Sequence, residues 1–127
     1  MARKKFSYGA PPYRVNAEVM LIGEDLLVIL HGGDKPHIGS IAVALPRPSL
    51  KNKKHTSATS SVYNFLGHKD DVVARKVAET LSAKLNKKVV VTTGIHVERI
   101  TDEGIAQLID NSDKLTKRIY EAIEKKS

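Results

Sequence analysis

Apolar and polar residues alternate along the chain from Tyr13 onward, and this alternation predicts an extended segment. The apolar positions of the segment are Val15, Ala17, Val19 and Leu21. A period of two is typical of a strand with one buried face. The next segment, Leu26–His31, is apolar on both faces, which predicts a central position in a sheet. Only Gly23-Glu24-Asp25 separates the two segments, and so short a turn predicts a hairpin.

Three further strands are predicted along the chain. The third is Ser40–Leu45, and it ends at Pro46-Arg47-Pro48-Ser49 because proline has no amide hydrogen to donate to a sheet. The fourth, rich in serine and threonine, covers about Thr56–Phe65. The fifth is Lys88–Thr93, and the segment Gly94–Glu98 either continues it or breaks it.

In two segments the spacing of apolar residues changes from the period of a strand to that of an amphipathic helix. The first helix is predicted to begin near Asp70, which is a plausible N-cap, and to end at Asn86 in the left-handed conformation. Its apolar face consists of Ala74, Val77, Ala78, Leu81 and Leu85. The second helix is predicted to be capped by Thr101. Its apolar stripe runs through Ile105, Leu108, Ile109, Ser112, Leu115, Ile119 and Ile123.

The predicted order of elements is therefore β-β-β-β-α-β-α. This order favours an α+β fold, with a mixed, mainly antiparallel sheet covered by two helices. A single domain is predicted over residues 13–127. Residues 1–12 end in Ala10-Pro11-Pro12 and are predicted to form a flexible basic N-terminal arm.

The positive charge is unevenly distributed. The 127 residues include 21 Lys and Arg and 14 Asp and Glu, a net charge of +7. Seven bases lie in two segments that have no acidic residue, namely Arg3, Lys4, Lys5, Arg14, Lys51, Lys53 and Lys54. The remainder of the chain is then neutral. This pattern favours two solvated basic segments over a nucleic-acid partner, which stays as an alternative.

Several functional classes are excluded or disfavoured by composition. There is no cysteine, which excludes disulfides, cysteine-ligated zinc and thiol chemistry. No apolar run approaches the roughly 20 residues of a membrane span, so no membrane partner is predicted. The basic N-terminus is not followed by an apolar region like that of a signal peptide, and a cytoplasmic location is predicted.

The loop from Gly32 to Gly39 is the first candidate binding site. Adjacent glycines allow a backbone to turn sharply and approach a ligand, and Gly33, Lys35 and His37 could form an anion-binding concavity. A long hairpin loop between two strands is the alternative. The spacing is neither that of a P-loop nor that of a dinucleotide-binding fingerprint.

Two other stretches carry candidate ligand-binding residues. Gly67, His68 and Lys69 precede the first helix, whose free N–H groups favour an anion, although simple capping by Asp70 is the alternative. Arg47, held between two prolines and followed by Ser49, is predicted to bind phosphate alongside the loop 32–39.

His96 is a third candidate, at the end of a buried strand, where a structural role is the alternative. His37, His68 and His96 could converge on a metal ion, but no His-x-x-x-His or His-x-His spacing exists, and no metal is predicted. No serine lies in a nucleophile elbow and no acid/base pair stands out, so no catalytic residue is predicted and the chain is not expected to be an enzyme.

Four stretches together resemble the prenylated flavin chaperone LpdD-like family, whose members are encoded near UbiD-type decarboxylases. They are Gly32-Gly33-Asp34-Lys35-Pro36-His37-Ile38-Gly39, Pro46-Arg47-Pro48-Ser49-Leu50, Gly67-His68-Lys69-Asp70-Asp71 and Thr93-Gly94-Ile95-His96-Val97. The resemblance covers about residues 25–123. The domain is also similar to the small proteasome-assembly-chaperone fold, in which dimers are frequent.

The resemblance implies a non-catalytic chaperone that holds reduced prenylated FMN, or FMN, or delivers it to a UbiD-type decarboxylase. It also makes a homodimer an expected arrangement. The residues predicted to bind the cofactor are Gly33, Lys35, His37, Arg47, Ser49, Gly67, His68, Lys69 and His96. Two alternatives stay open at this stage, a protein-assembly chaperone of the proteasome-assembly-chaperone type and a nucleic-acid-binding module.

Overall fold

Six strands and two helices make up the computed structural model, which describes residues 3–52, 54–65 and 70–125. The strands are β1 (Arg3–Tyr8), β2 (Val15–Ile22), β3 (Asp25–Gly33), β4 (Ser40–Pro48), β5 (Thr56–Asn64) and β6 (Val89–His96). Helix α1 (Asp71–Leu85) lies between β5 and β6 in the chain, and α2 (Asp102–Glu124) follows β6.

All six strands belong to one sheet with the order β1-β2-β3-β6-β4-β5. Only β3 and β6 pair in parallel, and every other neighbouring pair is antiparallel. The predicted α+β fold with a mixed, mainly antiparallel sheet is thereby confirmed. Because β4 lies between β5 and β6, the connection through α1 crosses over β4, and this is the crossover that the order of elements requires.

The N-terminal segment corrects the prediction of a flexible arm. Residues Arg3–Tyr8 form β1, an edge strand that pairs with β2 along its whole length. The strand forms because its aromatic residues alternate with polar ones. Phe6 pairs with Ala17 and packs against the core, while the Tyr8 ring lies 4.7 Å from the guanidinium carbon of Arg118. Most polar residues of this segment are basic, so a prediction from charge alone overlooks the alternation of aromatic and polar residues.

Both helices pack on the same face of the sheet. Helix α1 covers β4, β5 and β6, and α2 covers β1 and β2. The largest fully buried apolar side chains between the layers are Leu26, Leu30, Leu81, Leu115, Ile119, Val15, Val28, Val89 and Val91. The predicted helix ends are confirmed at Asn86, which has φ 53°, and at Thr101, whose hydroxyl accepts a hydrogen bond from the Gly104 N–H at 3.0 Å.

The opposite face of the sheet is covered by no helix among the residues that the structure describes. We call it the open face. Its apolar residues include Met20, Leu27, Ile29, Ile41, Val43, Leu45, Val90 and Tyr63, and His31 and Thr92 are polar residues of the central strands on the same face. Within residues 3–52, 54–65 and 70–125, neither helix combines the length and the apolar character needed to cross a membrane.

Candidate functional site

The candidate site lies where β3 and β6 end. Because these two strands are parallel, their carboxyl ends meet at the same edge of the sheet. The helices α1 and α2 both begin beside this edge, and the loop Asp34–Gly39 passes over it. The hairpin alternative for this loop is excluded, because β6 lies between β3 and β4.

Three hydrogen bonds hold the loop against the end of β6. The Asp34 N–H donates to the His96 carbonyl at 2.6 Å, and the Gly39 N–H donates to the Thr93 carbonyl at 2.8 Å. The Asp34 carboxylate accepts a bond of 2.8 Å from the Glu98 N–H. Both ends of the loop are therefore fixed to the same strand.

Two glycines allow the close approach of loop and strand. Gly33 has φ 76°, and a Cβ atom there would collide with the His96 carbonyl oxygen. A Cβ atom on Gly94 would collide with the carbonyl oxygen of His37. The glycines thus have a packing role, since any side chain at either position would push the loop away from β6.

The loop places His37 beside Asp70, at the start of α1. The His37 Nε2 lies 3.3 Å from the Asp70 Oδ2, and its Nδ1 lies 2.9 Å from the Lys35 carbonyl oxygen. The Asp70 side chain is buried, with 7% exposure, and its Oδ1 accepts a 3.1 Å hydrogen bond from the Ile95 N–H. The pair therefore connects the loop, α1 and β6.

This arrangement corrects the predicted role of Asp70. The residue does occupy the position before the first helical residue, but its side chain makes no capping bond and its backbone is helical, with φ −71° and ψ −12°. The carboxylate is turned instead toward Ile95 and His37, where it accepts a hydrogen bond from a partly buried strand N–H. Asp70 thus belongs to the site as well as to the helix.

His96 is more exposed than His37. Its Nε2 lies 3.2 Å from the Glu98 Oε2, and the two side chains are 43% and 66% exposed. The imidazole therefore stands at the rim of the site, where it can meet a ligand.

A cleft of about 560 Å³ opens between the start of α1, the end of β6 and the first turns of α2. Its apolar walls are formed by Val72, Val73, Ile95, Val97, Ile100, Ile105, Leu108 and Ile109. Its polar groups are Asp70, His96 and Asp102. Apolar walls with a few polar groups suit a small organic ligand. Within the described ranges, no group of three or more His, Asp or Glu side chains could hold a metal ion.

The structure brings together four of the predicted site residues. Gly33, Lys35, His37 and His96 all lie in or beside the loop over β6, with Lys35 contributing its carbonyl and an exposed side chain. The predicted residues Gly67, His68 and Lys69 lie outside the described residues.

Arg47 and Ser49 lie at the other end of the sheet, which corrects the prediction that they and the loop 32–39 wall one site. In β4, Ser40 pairs with Thr93 near the cleft, and the strand then runs toward the start of β6. Pro48 lies eight positions after Ser40 along the strand, a distance of roughly 25 Å.

Both residues are engaged locally at that end. The Arg47 guanidinium donates to the Thr59 hydroxyl at 2.7 Å and to the Pro48 carbonyl at 3.1 Å. The Ser49 hydroxyl accepts a 3.3 Å bond from the Lys51 N–H.

We therefore expect Arg47→Ala to leave the affinity for a ligand of the cleft unchanged within about twofold. The reason is the separation, since screened charge interactions fade beyond about 10 Å at 0.1 M ionic strength. Titration of FMN, a ligand that the sequence resemblance implies, against the variant and the unsubstituted chain at 0.1 M salt tests this. A tenfold loss would place Arg47 at the binding site.

The apolar walls of the cleft contain none of the residues predicted to bind a ligand. Val72 and Val73 precede the apolar stripe of α1, and Val72 is 57% exposed. The sequence did contain a signal for these walls, because Val72 and Val73 are apolar, lie outside the buried stripe of α1 and follow a Gly/His/Asp stretch.

Comparison with known proteins decides the family. The model of the prenylated flavin chaperone LpdD-like domain matches residues 9–124, which is most of the chain. The chain belongs to this LpdD-like family. The match extends from the segment before β2 to the end of α2, and so includes the loop over β6 and every wall of the cleft.

One relative illustrates the LpdD-like family, and one solved structure illustrates its fold. Protein LpdD of Lactiplantibacillus plantarum is 30% identical over 107 residues, which are 84% of this chain and 75% of that protein. A protein from a chaperone complex for yeast 20S proteasome assembly superposes with a TM-score of 0.61, covering 98% of this chain and 95% of the other. At 14% identity, the second similarity concerns the fold alone.

Proposed function

We propose that this LpdD-like chain is a non-catalytic, cytoplasmic chaperone that holds reduced prenylated FMN and delivers it to a UbiD-type decarboxylase. Membership of a family described as prenylated flavin chaperones supports the chaperone role. The cleft beside β6 is the observation that carries the proposal to a particular place in the molecule.

The cleft fits the ring system of a flavin in size and polarity. Its volume of about 560 Å³ lies within the roughly 300–1,000 Å³ that ligand pockets occupy. The flat flavin ring and the additional prenyl-derived ring are largely apolar, which suits walls formed by Val73, Ile95 and Leu108. The ring edges carry nitrogen and oxygen atoms, and His96 and Asp102 offer partners for them at the rim.

The charge of the cleft indicates which part of the cofactor enters it. Asp70 and Asp102 both line the cleft, and their carboxylates repel a phosphate group. We therefore place the ring system inside and the phosphate at the mouth, toward solvent. The cofactor supplies its decarboxylation chemistry in the receiving enzyme, whereas the residues here bind the ring and shield it from water.

Anaerobic titration of the chain with reduced prenylated FMN tests the proposal. We expect saturable binding, followed by flavin fluorescence or absorbance, with a Kd in the micromolar range. FMN should bind more weakly because it lacks the additional apolar ring and so buries less apolar area in the cleft. No binding of either compound at several hundred micromolar would contradict the proposal.

We expect Ile105→Glu to weaken binding of reduced prenylated FMN at least tenfold. Ile105 lines the cleft, and a carboxylate there would face the apolar ring and lose hydration on binding. Its side chain is 38% exposed, so the folded chain should tolerate the substitution. Leu50→Glu is the matched control, because Leu50 is 90% exposed and lies in a loop away from the cleft. Equal Kd values for the two variants would place the ligand elsewhere.

Delivery requires a separate measurement. The chain loaded with reduced prenylated FMN is mixed with a cofactor-free UbiD-type decarboxylase, and decarboxylation is followed over time. We expect faster activation than with an equal amount of free cofactor. If Ile105→Glu gives the same acceleration as the unsubstituted chain, the cleft takes no part in delivery.

A further inference from the structure

Strand β5 forms one edge of the sheet and has none of the features that usually protect an edge. Among the residues that the structure describes, no strand pairs with its outer side. The nine residues Thr56–Asn64 include no proline and no charged residue, and the register with β4 runs through all nine pairs without a bulge. Charged side chains, proline and bulges are the usual means by which proteins prevent an edge strand from pairing with another chain.

The opposite edge of the sheet is protected. Strand β1 has six residues, and Arg3, Lys4 and Lys5 are basic. Charged side chains of this kind oppose the approach of a further strand. The two edges of one sheet therefore differ, and β5 is the edge whose length and composition allow it to pair with an additional strand.

The hydrogen bonds at the two ends of β5 fix which backbone groups point outward. The Phe65 N–H donates to the Gly39 carbonyl at 2.9 Å, and the Ser49 N–H donates to the His55 carbonyl at 2.8 Å. In an antiparallel pair, residues that bond to the neighbouring strand alternate with residues that do not. The odd-numbered residues of β5 therefore bond to β4. The residues that direct N–H and C=O groups outward are Thr56, Ala58, Ser60 and Val62.

A groove of about 320 Å³ lies beside this edge, between β5 and α1. Its lining consists of Ser57, Ala58, Glu79, Thr80, Ala83 and Lys84. The Glu79 carboxylate accepts a 3.0 Å hydrogen bond from the Ser60 hydroxyl, which ties α1 to β5. Strands that add to a sheet edge gain specificity from pockets that receive their alternate side chains. The groove suits a small side chain of an added strand, because its lining is mostly small and polar.

Positive charge surrounds the start of β5. Between Asp34 and Asp70 the sequence has no acidic residue and six basic ones, namely Lys35, Arg47, Lys51, Lys53, Lys54 and Lys69. Lys51 and Lys54 are exposed in the loop before β5, and the Arg47 guanidinium lies 2.7 Å from the Thr59 hydroxyl. None of these three bases lines the cleft. Their charge favours an acidic partner at this end of the strand.

We propose that the outer edge of β5 binds an extended segment of a partner protein, which adds to the sheet as an antiparallel strand with acidic residues at its carboxyl end. In antiparallel pairing that end lies beside the start of β5, near Lys51 and Lys54. Lysines alone would suit any polyanion, whereas a row of outward N–H and C=O groups selects a polypeptide. The edge is separate from the cleft, so the proposal does not depend on the proposed function.

Amide exchange followed by NMR on the 14.0 kDa chain tests the pairing. The probe is a nine-residue peptide with blocked termini, in which six alternating threonine and valine residues precede three glutamates. At 0.5 mM peptide we expect the four outward amides of β5 to exchange at least tenfold more slowly, while the odd-numbered amides, which already bond to β4, stay unchanged. Peptide binding without this slowing, or no binding, would overturn the proposal. Slow exchange before the peptide is added would also overturn it, because another segment or a second copy would then already occupy the edge.

A second peptide tests the position of the acidic residues. It has the same composition, but the three glutamates precede the alternating residues. At 20 mM salt we expect the first peptide to bind at least fivefold more tightly, and at 0.5 M salt the difference should disappear because the charges are screened. Lys54→Glu should remove the preference, whereas Lys117→Glu, an equally exposed charge reversal on α2, should keep it. Equal affinities of the unsubstituted chain for the two peptides at 20 mM salt would contradict the proposal.

Ala58→Pro tests the edge from the side of the protein. Proline removes one outward N–H but no bond to β4, because proline is tolerated where the N–H of an edge strand faces outward. We expect the affinity for the first peptide to fall at least tenfold, with an unchanged circular dichroism spectrum. Unchanged affinity would place the peptide elsewhere and overturn the proposal. If the variant does not fold, the amide exchange of the unsubstituted chain decides the question.

Discussion

Asp70→Ala is expected to lower the free energy of unfolding by about 2–4 kcal/mol, a large effect for a single polar side chain. The substitution leaves the partly buried Ile95 N–H without its carboxylate acceptor and removes the buried negative partner of His37. Urea unfolding followed by circular dichroism measures the change. We also expect weaker flavin binding in this variant, since Asp70 lines the cleft and fixes the end of β6 that forms its wall.

The neighbouring residue provides the control. Asp71 is also acidic and lies in the first turn of α1, so Asp71→Ala should cost only about 0.3–1 kcal/mol through the helix dipole. Asp70→Asn should fall between the two alanine variants, because the amide oxygen still accepts from Ile95 while the charge next to His37 is lost. Equal losses for Asp70→Ala and Asp71→Ala would show that Asp70 acts only as a helix-start acid.

The second large effect is expected at Gly33. Gly33→Ala adds a Cβ atom that collides with the His96 carbonyl and also strains a backbone at φ 76°. We expect the two terms together to lower the free energy of unfolding by about 3 kcal/mol. The substitution should also displace the loop Asp34–Gly39 and weaken flavin binding, because that loop holds His37 against Asp70.

The variant Gly23→Ala is a control that separates the cost of backbone strain from the cost of a steric collision. The φ of Gly23 is 61°, close to that of Gly33, but nothing lies within 4 Å of the added Cβ. Gly23→Ala should therefore cost only the strain, about 1 kcal/mol, and leave binding unchanged. If both variants unfold at the same urea concentration, the loop moves aside freely and the contact between Gly33 and His96 has no structural importance.

Local patterns predicted most of the secondary structure. The alternation at Val15–Leu21 and the stripe through Leu108, Leu115 and Ile119 correspond to β2 and α2. Both signals are local, since the spacing of apolar residues reports directly which face of a strand or helix is buried. The resemblance to the LpdD-like family, based on four Gly/Pro/His-bearing stretches, is confirmed by the family match.

Strand β1, which the sequence pattern did not predict, shows where local patterns fail. β1 has only two aromatic residues on its inner face, and its edge position depends on pairing with β2 and on α2. Those partners are distant in the chain, and the row of basic residues gave the segment the composition of a tail.

The site was predicted only in part for a similar reason. Gly33, His37 and His96 carried visible signals, but nothing local tells that β6 lies between β3 and β4. The position of β6 brings the three residues together, and it places Arg47 at the far end of the sheet. The apolar walls of the cleft likewise come from three elements whose meeting depends on the topology.

The position of β6 also has a consequence for folding during synthesis. The strands β1, β2 and β3 can pair by local contacts as soon as they leave the ribosome, and so can β4 and β5. The two halves cannot join until β6 is made, because it lies between β3 and β4. Such long-range pairing is the slow part of sheet formation. The cleft needs β6 and both helices, so a nascent chain that lacks them has no cleft, and the proposed binding of a cofactor requires the fully synthesised fold.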